Sequence, residues 1–204
     1  MIVVVDYGMG NLGSVRNMLR KLGADVRVSS DPALIHHAEK LVLPGVGAFD
    51  QGMRGLEVRG LLPVLHEKVV EHKAPILGIC LGMQLFARRS EEGALPGLGW
   101  LDAEVVRFSF PQPGTVVKVP HMGWNTVEVR QDHPLFAGFD GPPRFYFVHS
   151  YHMCCHDPRD VLATSAHGGE FTAAVARGNI LATQFHPEKS HSFGLRLLGN
   201  FSAL

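Results

Sequence analysis

Neither sign of charge prevails in this sequence. Its 19 Lys and Arg are matched by 19 Asp and Glu, with no basic stripe to hold a phosphate backbone and no acidic tail. Nucleic acid is therefore not an expected partner. Long apolar runs are missing too: none reaches the ~20 residues that cross a bilayer, and Met1 to Asp6 carries no basic flank of a leader peptide. A cytoplasmic protein without a membrane partner is expected. Cysteine is scarce, with three residues of which Cys154 and Cys155 are adjacent, so no disulfide framework can be built. What is present is length: 204 residues bury a full core as one domain over 1–204, without disulfide or metal.

The most informative stretch is Ala74-Pro75-Ile76-Leu77-Gly78-Ile79-Cys80-Leu81-Gly82-Met83-Gln84-Leu85-Phe86. A short apolar run enters Gly-x-Cys-x-Gly, and apolar residues then resume at helical spacing with Leu81, Leu85 and Phe86, which predicts strand, sharp turn and helix. Glycine on both sides of the central residue is what a nucleophile elbow requires, because a side chain at either neighbour would clash with the adjoining strand or helix. The nucleophile would be the Cys80 thiolate at the positive end of the helix dipole. The Leu81 N–H would point at a substrate carbonyl as half of an oxyanion hole. A buried structural cysteine at the end of a core strand is the alternative. The flanking glycines favour the elbow.

In chain order, Ile2–Asp6 reads as a strand, followed by Gly8-Met9-Gly10-Asn11-Leu12-Gly13 and a helix to about Leu22. The glycines fit the dinucleotide fingerprint, but the second strand, Asp25–Ser29, ends without the ribose-binding acid; Asp31 before Pro32 suits a helix N-cap. A third strand, Lys40–Leu43, leads into Pro44-Gly45-Val46-Gly47-Ala48-Phe49, where two glycines around one valine let backbone N–H groups approach a ligand or reorient. Helical material from Gly52 to Lys73, broken at Gly60 to Pro63, precedes the elbow strand. The βαβαβαβα order predicts an α/β fold: a doubly wound, mostly parallel, flavodoxin-like sheet with its site at the carboxyl ends of the strands.

After Arg89 the pattern shortens. Trp100–Phe108, Val116–Val119 and Asn125–Arg130 read as antiparallel strands added to the main sheet, with Pro120-His121-Met122-Gly123-Trp124-Asn125 as a turn whose Trp124 suggests an interface. Phe145 to Tyr151 reads as one strand. His149, His152, Cys154, Cys155 and His156 crowd it with no second cluster at paired spacing, so no metal site is expected. Strands at Val161–Ala166, Phe171–Arg177 and Ile180–Phe185 follow, the last two joined by a Gly178-Asn179 hairpin. The final strand runs into His186-Pro187-Glu188. Pro187 holds His186 extended, and Glu188 two residues on can reach the imidazole, fixing its tautomer while the other ring nitrogen takes a thiol proton. With Cys80 this makes a Cys80, His186, Glu188 acyl-transfer site. A helix from Phe193 to Phe201 closes the chain.

These motifs, Gly78-Ile79-Cys80-Leu81-Gly82-Met83-Gln84 and Gln184-Phe185-His186-Pro187-Glu188, resemble those of the class I, triad-type glutamine amidotransferases. Within that family, Asp6 to Leu12, Pro44 to Phe49, Pro120 to Asn125, Tyr146 to Tyr151 and His186 to Ser190 are similar to the glutaminase subunits of imidazole glycerol phosphate synthases. The resemblance accounts for Gly8 to Gly13 without a dinucleotide. It implies glutamine as substrate, no cofactor, Cys80 as nucleophile and His186 as proton relay, with a thioester hydrolysed to glutamate. It further implies an oxyanion hole from the N–H groups of Val46 and Leu81, and glutamine held by Gly45, Gly47, Gln84, Ser150 and Tyr151. The implied partner is a (βα)8-barrel cyclase that receives the ammonia, contacted by Trp124, Tyr146 and Lys189. One departure stands beside that surface: His191-Ser192 follow Ser190 where the family usually has Gly-Lys. A binding module that keeps the fold without catalysis is the alternative of a different class.

Overall fold

Apolar segments too short for helices alternate with amphipathic ones over the first 80 residues, and each becomes a strand followed by helical chain. A computed structural model describes residues 1–110 and 117–204. Its elements are β1 (Ile2–Val5), α1 (Leu12–Lys21), β2 (Val26–Ser29), α2 (Pro32–His36), β3 (Lys40–Gly45), α3 (Phe49–Val58), α4 (Leu61–His66), β4 (Ile76–Cys80) and α5 (Leu81–Gln84). The shorter elements β5 (Arg89–Ser90), β6 (Ala103–Arg107), β7 (His121–Thr126), β8 (Glu128–Val129), β9 (Arg144–His149) and β10 (Tyr151–Cys155) come next. β11 (Val161–Ala166), β12 (Glu170–Arg177), β13 (Ile180–Thr183) and α6 (His191–Ala203) complete the chain.

The main sheet runs β2-β1-β3-β4-β13-β12-β11-β8, parallel from β2 to β13 and antiparallel beyond. Burial on both faces explains the near-continuous Val, Ile and Leu of the parallel strands. Along β1, Val3 and Val5 join the layer of α2, α3 and α4, while Ile2 and Val4 join that of α1 and α6. Asp31 caps α2 by accepting from the Ala33 N–H at 2.9 Å, as its position before Pro32 predicts. Gly60, at φ +66°, breaks α3 from α4, and Gly178, at φ +59°, turns the β12–β13 hairpin.

Several local expectations change. Of Pro120 to Asn125, all but Pro120 is strand and not turn: β7 pairs antiparallel with β9 in a separate two-stranded ribbon, where its backbone groups find partners that a turn would leave to solvent. Phe145 to Tyr151 is two strands, because the chain bends at Ser150 and β10 crosses into a three-stranded sheet with β6 and β5. Among the described residues between Arg89 and Arg144, only β8 joins the main sheet. Of Val116–Val119, residue 116 lies outside the described residues and 117–119 form no strand.

Candidate active site

Cys80 ends β4 at φ +55°, ψ −106°, a backbone state that costs an L-residue about 1–3 kcal/mol. Glycine on either side makes the crossing possible. A Cβ on Gly82 would stand 1.8 Å from the Leu43 carbonyl oxygen, and one on Gly78 would stand 2.7 Å from the Phe86 ring. No side chain fits at either position without moving backbone or core. The helix beneath the thiol is shorter than its apolar spacing predicts: α5 is one turn, and Leu85 and Phe86 are buried in the turns after it.

His186 arrives from β13, with its backbone extended at φ −101°, ψ 96°. Glu188 reaches it differently from the expected extended chain. Pro187–Lys189 forms a 3-10 turn, closed by Lys189 N–H donating to His186 O at 3.1 Å, and the turn swings the carboxylate back to His186 Nδ1 at 2.7 Å. The Ser190 hydroxyl donates to His186 O at 2.6 Å and accepts from the Tyr146 N–H at 3.0 Å, while the His186 N–H donates to Tyr146 O at 2.9 Å. Both side chains of the pair are almost wholly buried, 1% and 2% exposed. Burial pushes the imidazole toward its neutral form, but hydrogen bonding to Cys80 and Glu188, together with their negative charges, outweighs it and raises the His186 pKa to about 10. With Nδ1 taken by Glu188, the contact with Cys80 falls to Nε2, which has no well-aligned hydrogen bond among the described residues. A protonated imidazole beside a thiol, oriented by a buried carboxylate, is equipped for nucleophilic acyl transfer.

The cleft over Cys80 holds about 460 Å³ and is lined by Val46, Gly47, Ala48, Leu81, Gln84, Glu92, Pro120, Val148, His149, Ser150 and Tyr151. Gly45 stands opposite Cys80 in the β3–β4 register, so the Val46 loop and the elbow leave the sheet side by side. Gly45 is also tightly enclosed: a Cβ there would stand 2.2 Å from the Tyr7 hydroxyl and 2.8 Å from Leu81 Cβ. Gly47 has φ +110°, and a Cβ on it would meet Met9 Cε at 2.7 Å. The loop after β1 thus packs on the loop after β3. Gln84 is buried and donates from Nε2 to Tyr151 O and to Gln184 Oε1, both at 3.1 Å.

The expected partner residues gather beside the cleft, on β7, β9 and the turn after His186. Trp124 and Tyr146 are paired across β7–β9 with ring centroids 6.4 Å apart, and Lys189 Nζ lies 5.7 Å over the Tyr146 ring. Met122 and Trp124 are 64% and 40% exposed. His191 stacks on Trp124 at 5.5 Å with planes 3° apart, and holds φ +46°, a state open to glycine at no steric cost. The histidines along β9 and β10 and just after them have separate partners. His149 turns inward to His121, His152 packs against Phe108, and His156 bonds Asp102 at 2.8 Å.

Some cleft residues escaped the sequence reading. Gln184 donates from Nε2 to Cys80 Sγ at 3.7 Å. It opens Gln184-Phe185-His186-Pro187-Glu188, but nothing in the pattern marks it. Glu92 is the one carboxylate lining the cleft among the described residues. Tyr7 is fully buried under Gly45, and burial followed by the nearby Cys80 charge pushes its phenol well above the usual range.

Comparison with known proteins places these features in context. The glutamine amidotransferase class-I family profile matches residues 3–202. Imidazole glycerol phosphate synthase subunit HisH 2 of Pseudomonas aeruginosa is 53% identical over 204 residues, covering 100% of both chains. The protein of the same description from Methanococcus maripaludis is 50% identical over 201 residues, 98% of each chain. Among solved structures, PurLQS from Thermotoga maritima superposes with a TM-score of 0.75 over 98% of this chain and 96% of that one, at 19% identity, a likeness of fold alone.

Proposed function

The chain belongs to the class-I glutamine amidotransferase family, a family of glutamine-hydrolysing enzymes, and from that premise we propose that it is the glutaminase subunit of an imidazole glycerol phosphate synthase. The observation that carries the chemistry is the buried trio at the elbow: a strained Cys80, the His186 imidazole raised to about 10, and Glu188 on its Nδ1 at 2.7 Å. The full-length identity of 53% to a protein of that description supports the choice within the family.

Glutamine enters the cleft with its side-chain amide over Cys80. Glu92 offers a carboxylate for the α-ammonium group, and Gln84, Ser150 and Tyr151 hold the rest of the ligand. The Cys80 sulfur attacks the amide carbon, and the N–H groups of Leu81 and Val46 take the developing oxyanion, each worth on the order of 3 kcal/mol. His186 Nε2 delivers its proton to the leaving nitrogen, which departs as ammonia and leaves a γ-glutamyl thioester on Cys80. Water then attacks the thioester, Nε2 accepts the water proton, the thiolate leaves, and glutamate is released. Throughout, Glu188 holds Nδ1–H and so keeps Nε2 as the working nitrogen.

The ammonia passes to a (βα)8-barrel cyclase, which makes imidazole glycerol phosphate and an aminoimidazole carboxamide ribotide in histidine biosynthesis. The cyclase docks on Trp124, Tyr146 and Lys189, and a change of backbone at Val46 and Gly47, beyond the enclosed Gly45, couples its arrival to the oxyanion hole. The chemistry is tested by rapid quenching with glutamine and peptide mass analysis. A glutamyl mass gain on the Cys80 peptide, absent from Cys80→Ala, is expected. No adduct in a turning-over enzyme would overturn the covalent route.

A further inference from the structure

Behind the cleft a row of polar groups runs from half-buried Asn125 through buried His121 and His149, none of which the proposed mechanism uses, to Gln84 and Cys80, which it does. Asn125 Nδ2 lies 3.1 Å from His121 Nε2, and His121 Nδ1 lies 2.9 Å from His149 Nε2. His149 Nδ1 in turn lies 2.7 Å from the carbonyl of Tyr151, two residues further along its own chain. That carbonyl also accepts from Gln84 Nε2, whose second hydrogen goes to Gln184 Oε1, and Gln184 Nε2 donates to Cys80 Sγ.

Two facts fix the direction of the links: a backbone carbonyl only accepts, and a neutral imidazole carries a single N–H. His149 must carry its proton on Nδ1, which leaves Nε2 as an acceptor. His121 must then donate from Nδ1, so its Nε2 accepts from the Asn125 amide. On the other side Gln84 must present its nitrogen to Tyr151, which turns the Gln184 oxygen toward Gln84 and the Gln184 nitrogen toward sulfur. Burial pushes both imidazoles to the neutral form this pattern requires, lowering His121 to about 4 and His149 to about 3. The neighbouring ladder leaves the carbonyl to these side chains, because Phe108 N–H goes to Ser150 O at 3.1 Å and puts Tyr151 and Arg107 in a non-hydrogen-bonded pair, Arg107 giving its N–H to Glu91 Oε2 at 2.7 Å.

We propose that His149, backed by His121 and Asn125, is a positioning residue: it pins the Tyr151 carbonyl, fixes the Ser150 bend that turns β9 into β10, and thereby sets Gln84 and the Gln184 amide against Cys80. This assignment rests on the glutaminase reading of the cleft. It makes the two ends of the row interdependent, since Asn125 sits on β7, one residue from Trp124.

Two substitutions separate positioning from packing. His149→Phe keeps the ring volume and removes the donor, whereas His149→Asn loses volume and keeps an amide nitrogen near the place of Nδ1. Steady-state glutaminase kinetics with the barrel cyclase present should show KM for glutamine raised roughly tenfold by His149→Phe, with a smaller change in kcat, and largely recovered by His149→Asn. Phe close to wild type with Asn worse would mean packing and would overturn the proposal. Nitrogen NMR of the imidazoles in the wild-type chain is a second readout, independent of turnover. Both histidines should be neutral with the proton on Nδ1, and a proton on Nε2 of either breaks the row and the proposal with it. Wild-type protein that releases no Cys80-dependent glutamate would sink the glutaminase reading instead, while the imidazole spectrum would still decide the row.

Discussion

Cys80 and His186 each sit in a state that the isolated residue would not choose, one strained in backbone and one charged while buried. The cost is carried by neighbours: glycines at 78 and 82 for the first, Cys80 and Glu188 for the second. The His186 pKa of about 10 stands above its ordinary value of 6.5, and a raised folded value fixes the sign of the pH dependence. The ion pair stabilises the fold fully below about pH 6.5 and loses that contribution as pH climbs through about 10. Glu188→Gln removes the carboxylate charge, lowers the imidazole pKa and should cut kcat roughly 10²-fold or more. Thermal melts across pH 6 to 10 should show the alkaline loss of Tm moved to lower pH in this variant. An unchanged melting profile would mean that Glu188 does not hold the proton on His186. The elbow and the pairing of Glu188 with His186 were legible because glycine and proline declare backbone geometry locally, although the carboxylate arrives through a 3-10 turn and not the extended chain the spacing suggests. Gln184, Glu92, His121 and Tyr7 were not, since their roles come from groups far away in the chain that only the fold brings near.

Among the elements, the parallel strands and their helices follow from hydrophobic runs and caps, because burial on both faces leaves a strong pattern. The later strands are short and depend on partners rather than on their own sequence. Pro120 to Asn125 reads locally as a turn, yet from His121 on it becomes β7 because β9 lies beside it, and the Ser150 bend is set by contacts of His149 and not by any breaker residue. Close packing between elements gives a sharp contrast of two glycines. Gly82→Ala drives a Cβ to 1.8 Å from Leu43 O, whereas Gly13, in the first turn of α1, has nothing within 4 Å of an added Cβ. Urea unfolding should show Gly82→Ala destabilised by about 3 kcal/mol or more, and Gly13→Ala stabilised by about 0.5 kcal/mol. A tolerated alanine at 82 would contradict the β3–α5 crossing. A costly one at 13 would mean that the glycine-rich loop before α1 needs its third glycine.

For the whole molecule, the balanced charge leaves recognition to shape and apolar contact. Such a feature stands beside the site in the exposed Met122 and Trp124 on β7, flanked by Tyr146, Lys189 and the stacked His191. Trp124→Ala should raise the Kd for the barrel cyclase about tenfold or more, read by titration, with little change in Tm because the ring is 40% exposed. Affinity that stays at the wild-type value would move the docking face elsewhere. The central claim is that this is a glutaminase whose oxyanion loop is completed by its partner. The most direct measurement is glutamate release from glutamine by the chain alone, then with the barrel cyclase and its ribonucleotide ligand, using Cys80→Ala as the blank. A large rise on adding the liganded partner, absent from the variant, is the predicted result. Equal release with and without the partner, or none in either case, would contradict it.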